Sequence, residues 1–260
     1  MATFYSRLTR PLLTGLTAGF MASLGTAQAV GPPAGIFAER AAAEFHKTQS
    51  QYEKSDTAAN AIPFARACFD FADFATNRQE RSTIANLGIS ACRQVIASDP
   101  KSTAAHYYLG MNLGQLARAE FLGALRIVRE MEREFKAAAQ LDPNFDYAGP
   151  ERCLGLLYRD APGWPASIGS KRKAKTYLEE AARLAPGYPE NRLNLVEADL
   201  KWHDSGAAEK ELDALNALWP RAQREFTGEK WEREWADWST RRDAADSRLE
   251  PPAPRRIGKP

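Results

Sequence analysis

β-Branched aliphatic residues are scarce in this 260-residue chain, which has four valines and eight isoleucines. No segment shows the bounded alternation of apolar and polar residues that is typical of half-buried strands. Leucine, alanine, glutamate, lysine and arginine dominate instead, and these residues favour helices. The sequence therefore predicts an all-α protein.

The chain also lacks a charge excess of either sign, with 35 basic and 33 acidic residues. Arg7 and Arg10 precede the first acidic residue, so the chain after residue 29 has equal numbers of both. A neutral chain is a poor match for nucleic acid or for an anionic membrane. We therefore expect neither as a partner, and the composition is otherwise that of a globular protein.

Catalytic and metal-binding motifs are missing as well. The three histidines form no H-E-x-x-H pattern and lie at no metal-ligand spacing from the cysteines. The chain has no G-x-S-x-G, no P-loop and no dinucleotide fingerprint. We predict no catalysis, no metal and no cofactor. A hydrolytic site that the fold assembles from distant residues stays open as an alternative.

Only three cysteines are present, Cys68, Cys92 and Cys153. Cys68 and Cys92 could pair across one helical hairpin, which would leave the third thiol free. The other interpretation treats all three as small apolar core residues, and free cysteine usually behaves in that way. The sequence favours the second interpretation and does not decide the disulfide.

Residues 1–29 have the pattern of a secretory signal peptide. Arg7 and Arg10 precede an apolar stretch at 11–25, and Ala27-Gln28-Ala29 is a small-x-small cleavage site. The alternatives are a retained anchor or a mitochondrial-type leader. We expect cleavage after Ala29, a periplasmic or otherwise secreted protein, and no integral membrane segment in the processed chain.

Four helical patterns end at a proline, a residue that interrupts helices. The prolines are Pro100, Pro143, Pro186 and Pro220, so their spacings are 43, 43 and 34 residues. The last spacing is the tetratricopeptide repeat (TPR) period, and the unit at 189–220 resembles a TPR. We predict a TPR-like α-solenoid over residues 30–250, with repeats at about 60–100, 103–143, 148–186 and 189–220.

The two longer units match the same repeat if an insertion lies between their helices. We expect these insertions around residues 119–127 in one unit and at residues 160–170 in the next. Gly110, Gly155 and Ala174 lie where paired helices should approach most closely, since only a small side chain fits there.

The end of the chain predicts a cap and a tail. Trp231, Trp235 and Trp238 recur at helical spacing within a polar helix at 221–249. They could form an aromatic ligand platform, but the sequence favours a capping helix that covers the last repeat. Residues 251–260 are rich in proline and arginine and are predicted to be disordered.

A solenoid of this kind offers a concave groove lined by the first helix of each repeat. The repeat register predicts nine inward residues: Tyr107, Met111, Gln115, Arg152, Leu156, Arg159, Leu193, Glu197 and Lys201. They lack the lysine and asparagine pair with which many TPR domains hold a terminal carboxylate. We therefore expect a protein partner in the groove, but not one held by its carboxyl terminus.

The loop at 160–171 has two interpretations. Trp164, Ser167, Ser170 and Lys171 could form a contact surface, with Trp164 as a rigid anchor and an anion at the following helix start. Alternatively, the loop is an ordered elbow in which Trp164 fills the core and Ser170 caps the helix. The sequence does not decide between them.

Residues 149–158 (GPERCLGLLY), the Pro/Gly loop after them and residues 188–191 (YPEN) are similar to runs in one TPR subfamily. That subfamily is the T-component of tripartite ATP-independent periplasmic (TRAP) transport systems, and the resemblance covers about residues 103–220. It implies a homo-oligomer with a ligand cleft and a periplasmic solute-binding protein as partner. The chain lacks the lipid-anchor cysteine of many relatives.

The sequence as a whole favours an exported scaffold or adaptor that binds a protein through its groove and the 160–171 loop. A ligand-cleft component of a TRAP-type system is the first alternative, and an enzyme with an unrecognised site is the second.

Overall fold

The computed structural model describes residues 34–120 and 123–249. The predicted signal peptide and the predicted tail lie outside the described residues. Ten α-helices and one short 3-10 turn, Glu229–Trp231, make up the regular structure of the described part. The helices are α1 Ala34–Lys54, α2 Ala58–Ala72, α3 Arg78–Ser98, α4 Thr103–Ala119, α5 Ala124–Leu141, α6 Phe145–Asp160, α7 Lys171–Leu184, α8 Pro189–Lys201, α9 Ser205–Glu225 and α10 Glu232–Leu249.

Helices that follow one another in the chain pack against one another from α1 to α9. Four hairpins result, α2–α3, α4–α5, α6–α7 and α8–α9, and α1 packs on the first of them. The first helices of successive hairpins also touch, α2 on α4, α4 on α6 and α6 on α8. Helix α10 covers α8 and α9. This is the predicted all-α solenoid of about four hairpins with a C-terminal capping helix.

The glycines predicted at close helix contacts lie at such contacts. A Cβ on Gly110 would stand 2.5 Å from the Phe135 ring, and one on Gly155 would stand 2.6 Å from Leu178. Ala174 is fully buried. Each small residue therefore lets the two helices of a hairpin approach, as the sequence predicted.

Side-chain caps fix where several helices begin. Asn77, Ser102, Ser170 and Asp204 each accept a hydrogen bond from the backbone N–H three residues later. Such a cap satisfies one of the free N–H groups in the first turn of the helix. The boundaries of α3, α4, α7 and α9 are thus set by local sequence.

Three boundaries differ from the sequence prediction. The insertion expected at 119–127 instead lengthens the helices, since α4 ends at Ala119 and α5 begins at Ala124. Helix α9 continues through Pro220 to Glu225, because Trp219 and Ala222 on either side of the proline are buried and hold the helix in place. The capping helix α10 therefore begins at residue 232 and not at 221.

All three cysteines are free and buried. Burial raises the pKa of the Cys153 thiol to about 12. The pKa values of Cys68 and Cys92 are raised in the same way. The thiols are therefore protonated, and they pack as small apolar side chains. In the described part of the chain, no helix combines the length and apolar character needed to span a membrane.

The close contact at Gly110 can be tested by substitution. Gly110→Ala should lower the free energy of unfolding by about 1–3 kcal/mol, because the added methyl group overlaps Phe135 and overpacks the hairpin. Gly206→Ala is the matched control, since nothing lies within 4 Å of its added Cβ, and it should be neutral or slightly stabilising. Chemical denaturation measures both. Equal effects of the two variants would show that Gly110 is not a packing position.

Candidate functional site

The inner face of the solenoid is less open than its repeat register predicted. Tyr107, Met111 and Gln115 on α4 are almost completely inaccessible, with at most 1% exposure. The Tyr107 hydroxyl donates to the Asp146 carboxylate at 2.7 Å, and the Gln115 amide donates to Asp73 at 2.9 Å. The expectation that these three side chains form an exposed groove wall is corrected: they connect α4 to its neighbouring helices.

Arg152 is also buried, and its guanidinium binds backbone carbonyl groups. Its guanidinium donates to the carbonyl oxygens of Asp146 and Tyr147 and to Asn191 Oδ1, at 3.0–3.2 Å. The same group lies 5.2 Å from the centre of the Tyr188 ring. Its hydrogen-bonding capacity is directed to the protein interior and not to an open groove.

The carbonyl groups that Arg152 binds belong to an unusual backbone turn. Asp146, Tyr147 and Ala148 have φ values of 51°, 56° and 62° in succession. Left-handed backbone at non-glycine residues is unfavourable, so it persists only where surrounding contacts stabilise it. Arg152 supplies those contacts, together with the Asn191 amide that donates to Tyr147 O at 3.1 Å.

Asn191 is a residue whose role sequence reasoning missed. Its place in the first turn of a helix suggests an ordinary helix-start residue, but it is buried and its amide donates to the carbonyl oxygens of Tyr147 and Ala181. The amide thus links the third hairpin to the fourth. No local pattern signals this role, because its partners Tyr147 and Ala181 lie 44 and 10 residues away in the sequence.

Of the remaining predicted groove residues, Leu156 and Leu193 are buried in the core, and the three charged ones form a cluster with Asp160 and Arg241. Arg159 binds Asp160 at 2.8 Å, and Lys201 binds the same carboxylate at 2.7 Å. Glu197 binds Arg241 of α10 at 2.7 Å. The structure therefore brings Arg159, Glu197 and Lys201 together, but their charges are balanced by Asp160 of α6 and by Arg241 of α10.

Arg241 holds α10 against α8. Its guanidinium contacts both oxygens of the fully buried Glu190, at 2.8 and 2.9 Å, and donates to Asn194 Oδ1 at 2.7 Å. The Trp238 indole N–H donates to the same Glu190 carboxylate at 2.7 Å. Burial raises the pKa of Glu190, and the adjacent Arg241 opposes that shift.

The tryptophan stripe belongs to this cap. Trp238 is fully buried, and Trp235 packs on it with a ring-centre separation of 5.0 Å. Trp231, which lies in the 3-10 turn and not in α10, packs on Phe226 at 4.8 Å. The three rings therefore face the protein as a lid, which agrees with the capping interpretation over the ligand platform.

The start of α10 reaches the opposite end of the solenoid. Arg40 of α1 binds Glu232 at 2.6 Å and Glu229 at 2.8 Å. Arg233 of α10 binds Asp73, the residue after α2, at 2.6 Å. The first and last helices of the described chain are thus joined by ion pairs.

A central cavity of about 580 Å³ lies where these ends meet. Nine of its thirteen lining residues are charged: Arg40, Glu44, Lys47, Arg66, Asp70, Glu229, Lys230, Arg233 and Glu234. Arg66 projects into it as an exposed side chain, 3.8 Å from Asp70. Burial raises the pKa of Asp70. The cavity can hold a polar segment that carries charges of both signs.

The 160–171 loop is ordered by backbone hydrogen bonds, while its tryptophan is exposed. Gly169 N–H donates to Pro162 O, and Ser170 N–H donates to Tyr158 O, both at 2.9 Å. Trp164 has 88% of its surface exposed. The interpretation in which Trp164 fills the core is therefore wrong.

The other loop residues have structural contacts. Ser170 Oγ accepts from Lys173 N–H at 3.3 Å and caps α7, as the elbow interpretation expected. Lys171 Nζ lies 5.2 Å from the centre of the Trp202 ring. Ser167 is buried, and its hydroxyl has no hydrogen-bond partner among the described residues. Ser170, which lies at the predicted anion contact before α7, thus also caps that helix.

His106 has a structural role. His106 Nδ1 lies 2.7 Å from Glu134, and Nε2 lies 3.0 Å from Pro100 O, so the ring joins the two helices of its hairpin. His203 is exposed at the turn between α8 and α9. No group of three or more metal-ligating side chains occurs within residues 34–120 and 123–249.

Comparisons with known proteins bear on the fold. No protein-family model matches the chain, and no curated protein matches it. Among solved structures, the chain is similar to a thermophilic TPR protein of Thermus thermophilus, with a TM-score of 0.54 and 18% identity. The match covers 80% of this chain and 92% of the other. The fold is TPR-like. At this identity the similarity concerns architecture alone, so the TPR-like repeats assign no ligand.

The Arg241 contact gives a stability prediction. Arg241→Ala should lower the free energy of unfolding by about 3–5 kcal/mol at neutral pH, because it leaves Glu190 buried without a counter-charge. Arg248→Ala, an exposed arginine on the same helix, should change it little. Denaturant unfolding measures both, and a loss below about 1 kcal/mol for Arg241→Ala would contradict the role assigned here.

The same defect should depend on pH. Burial raises the folded-state pKa of Glu190 above its ordinary value of 4.5, so protonation favours the folded chain. The loss of unfolding free energy caused by Arg241→Ala should be largest above that raised pKa, where Glu190 is charged. It should shrink as the pH falls toward 4.5. A difference that stays constant over this range would indicate that the variant acts through lost packing.

Proposed function

We propose that this protein is an exported TPR-like scaffold that binds a partner protein, with Trp164 as the principal contact. The observation that carries the proposal is the 88% exposure of Trp164 on an ordered loop. The other large exposed hydrophobic side chains of the described residues are covered by half or more.

The environment of Trp164 supports a contact role. Removing a large apolar surface such as an indole from water is favourable. Because the Trp164 indole is solvated, a partner that covers it would gain this stabilisation. The loop is already fixed by its backbone hydrogen bonds and by the Ser170 cap, so binding would need little further ordering. Rigid, exposed tryptophans of this kind are typical of interface hot spots.

The central cavity is an open recess between α1, α2 and the start of α10, and in this proposal it takes the place of the predicted groove wall. Its charged lining suits a polar segment of a partner protein, whereas an apolar helix would find few matching side chains there. We therefore include the cavity in the proposed binding surface, in place of Tyr107, Met111 and Gln115.

A ligand-cleft role in a TRAP-type system is the alternative that the T-component resemblance suggests. In that role, the protein would form an oligomer and would bind a solute-binding protein. The residues that carry the resemblance include Arg152, Tyr188, Glu190 and Asn191, which are all buried in contacts between repeats or with α10. Since repeat packing accounts for these residues, we place the scaffold role first.

An enzymatic role would need the buried polar cluster around Arg152 and Glu190. Burial raises the pKa of Glu190 and raises those of Tyr107 and Tyr188 well above their ordinary range. The Glu190 carboxylate already binds Arg241 and Trp238. These contacts serve the fold, and we propose no catalytic step.

Export is part of the proposal and can be measured directly. Expression in a bacterial host with a periplasm should give a periplasmic protein whose first residue is Val30, because cleavage follows Ala29. Mass spectrometry of the intact fractionated protein determines this. A chain that retains residues 1–29 in the cytoplasmic fraction would contradict export.

Partner binding is tested by crosslinking the processed protein in the envelope fraction of its own organism. Trp164→Ala should reduce the recovered partner at least about tenfold and leave helical circular dichroism unchanged, because the side chain is outside the core. Leu87→Ala, a partly exposed apolar residue on α3, is the control and should recover the partner normally.

The outcome also separates the candidate functions. Undiminished capture by Trp164→Ala would remove the proposed contact. Recovery of a solute-binding protein would favour the TRAP-type alternative, whereas recovery of envelope assembly factors would favour the scaffold.

A further inference from the structure

A second recess lies between α5 and the 160–171 loop. It has a volume of about 430 Å³ and is lined by Leu125, Arg126, Arg129, Glu130, Arg133 and Ala166. We refer to it as the arginine cleft. Arg126, Arg129 and Arg133 are spaced so that all three lie along one face of α5, and all three are exposed.

The arginine cleft carries an unbalanced positive charge. Glu130 binds Arg93 at 2.8 Å, and Arg133 binds Glu134 at 2.9 Å, so these two are occupied within the protein. Within the described part of the chain, neither Arg126 nor Arg129 forms an ion pair. Two guanidinium groups without an ion pair therefore lie together in a protein whose net charge after residue 29 is zero.

Apolar surface adjoins these charges. Leu125 is 46% exposed beside Arg126, and Trp164 lies two residues from Ala166 on the loop that forms the other wall. An inorganic anion would use the guanidinium groups alone and leave the leucine and the tryptophan solvated. A polypeptide with both carboxylate and apolar side chains would use all of them.

We infer that the arginine cleft binds an acidic segment of a partner protein that also carries apolar side chains. This inference rests on the proposed function, since the loop that bears Trp164 forms one wall of the cleft. Charge complementarity supports the acidic character, because Arg126 and Arg129 can each hold a carboxylate through paired hydrogen bonds. The balanced charge of the chain after residue 29 argues against an anionic bilayer as the occupant.

The probe is a short fluorescein-labelled peptide of alternating glutamate and leucine residues, and its binding to the processed protein is followed by fluorescence anisotropy. A peptide with lysine in place of glutamate is the matched control. The acidic peptide should bind and should weaken as salt is added, and the basic peptide should not bind. The double variant Arg126→Ala/Arg129→Ala should weaken binding about tenfold.

Two further variants make the result specific. Arg221→Ala/Arg224→Ala removes two exposed arginines at the same spacing on α9 and should bind like the wild type. Arg126→Glu/Arg129→Glu should lose the acidic peptide and gain the basic one. Equal losses in both alanine pairs, or no loss in either, would overturn the inference. So would binding to phosphatidylglycerol vesicles in place of the peptide.

The test separates this inference from the proposed function. If the acidic peptide fails to bind while Trp164→Ala still abolishes partner crosslinking, only the arginine cleft is overturned. If the peptide binds through Arg126 and Arg129 while Trp164→Ala captures its partner normally, the cleft is supported and the Trp164 contact is lost.

Discussion

The ion pair between Arg241 and Glu190 determines the form of the inner face. It fixes α10 on α8, and with α10 in place Trp238 is buried and Glu197 is neutralised. The same placement brings Arg233 to Asp73 and lets Arg40 bind the turn before α10. The central cavity exists because these contacts hold the two ends together. A buried charge pair adds little net stability against an apolar equivalent, but it specifies one position for the helix.

A second buried arginine performs a related task between the third and fourth hairpins. Arg152 satisfies the carbonyl groups of a left-handed turn that would otherwise be unfavourable, and Asn191 adds a further bond to it. The turn forms a kink in the first part of α6, at three residues that are not glycine. The protein thus uses polar side chains in its interior to set the geometry of its repeats.

The sequence was sufficient for the repeat architecture, because proline spacing, small residues such as Gly110 and Gly155, and capping residues such as Ser170 all act locally. It was not sufficient for the inner face. Tyr107, Met111 and Gln115 occupy first-helix positions, but their burial follows from contacts with α2 and α6 that no local pattern encodes. Arg241 looked like one more charge on a polar helix, since nothing near it in sequence identifies Glu190 as its partner. Trp164 was left undecided for the same reason.

The contact between α1 and the start of α10 changes how such a repeat protein comes apart. In an open stack, the terminal units fray independently, and stability grows as units are added one at a time. Here α1 and the start of α10 bind each other, so releasing either one exposes both, and melting should be more concerted than in a linear array. This contact also fixes the number of hairpins, because one unit more or fewer would carry Arg40 out of reach of Glu229 and Glu232.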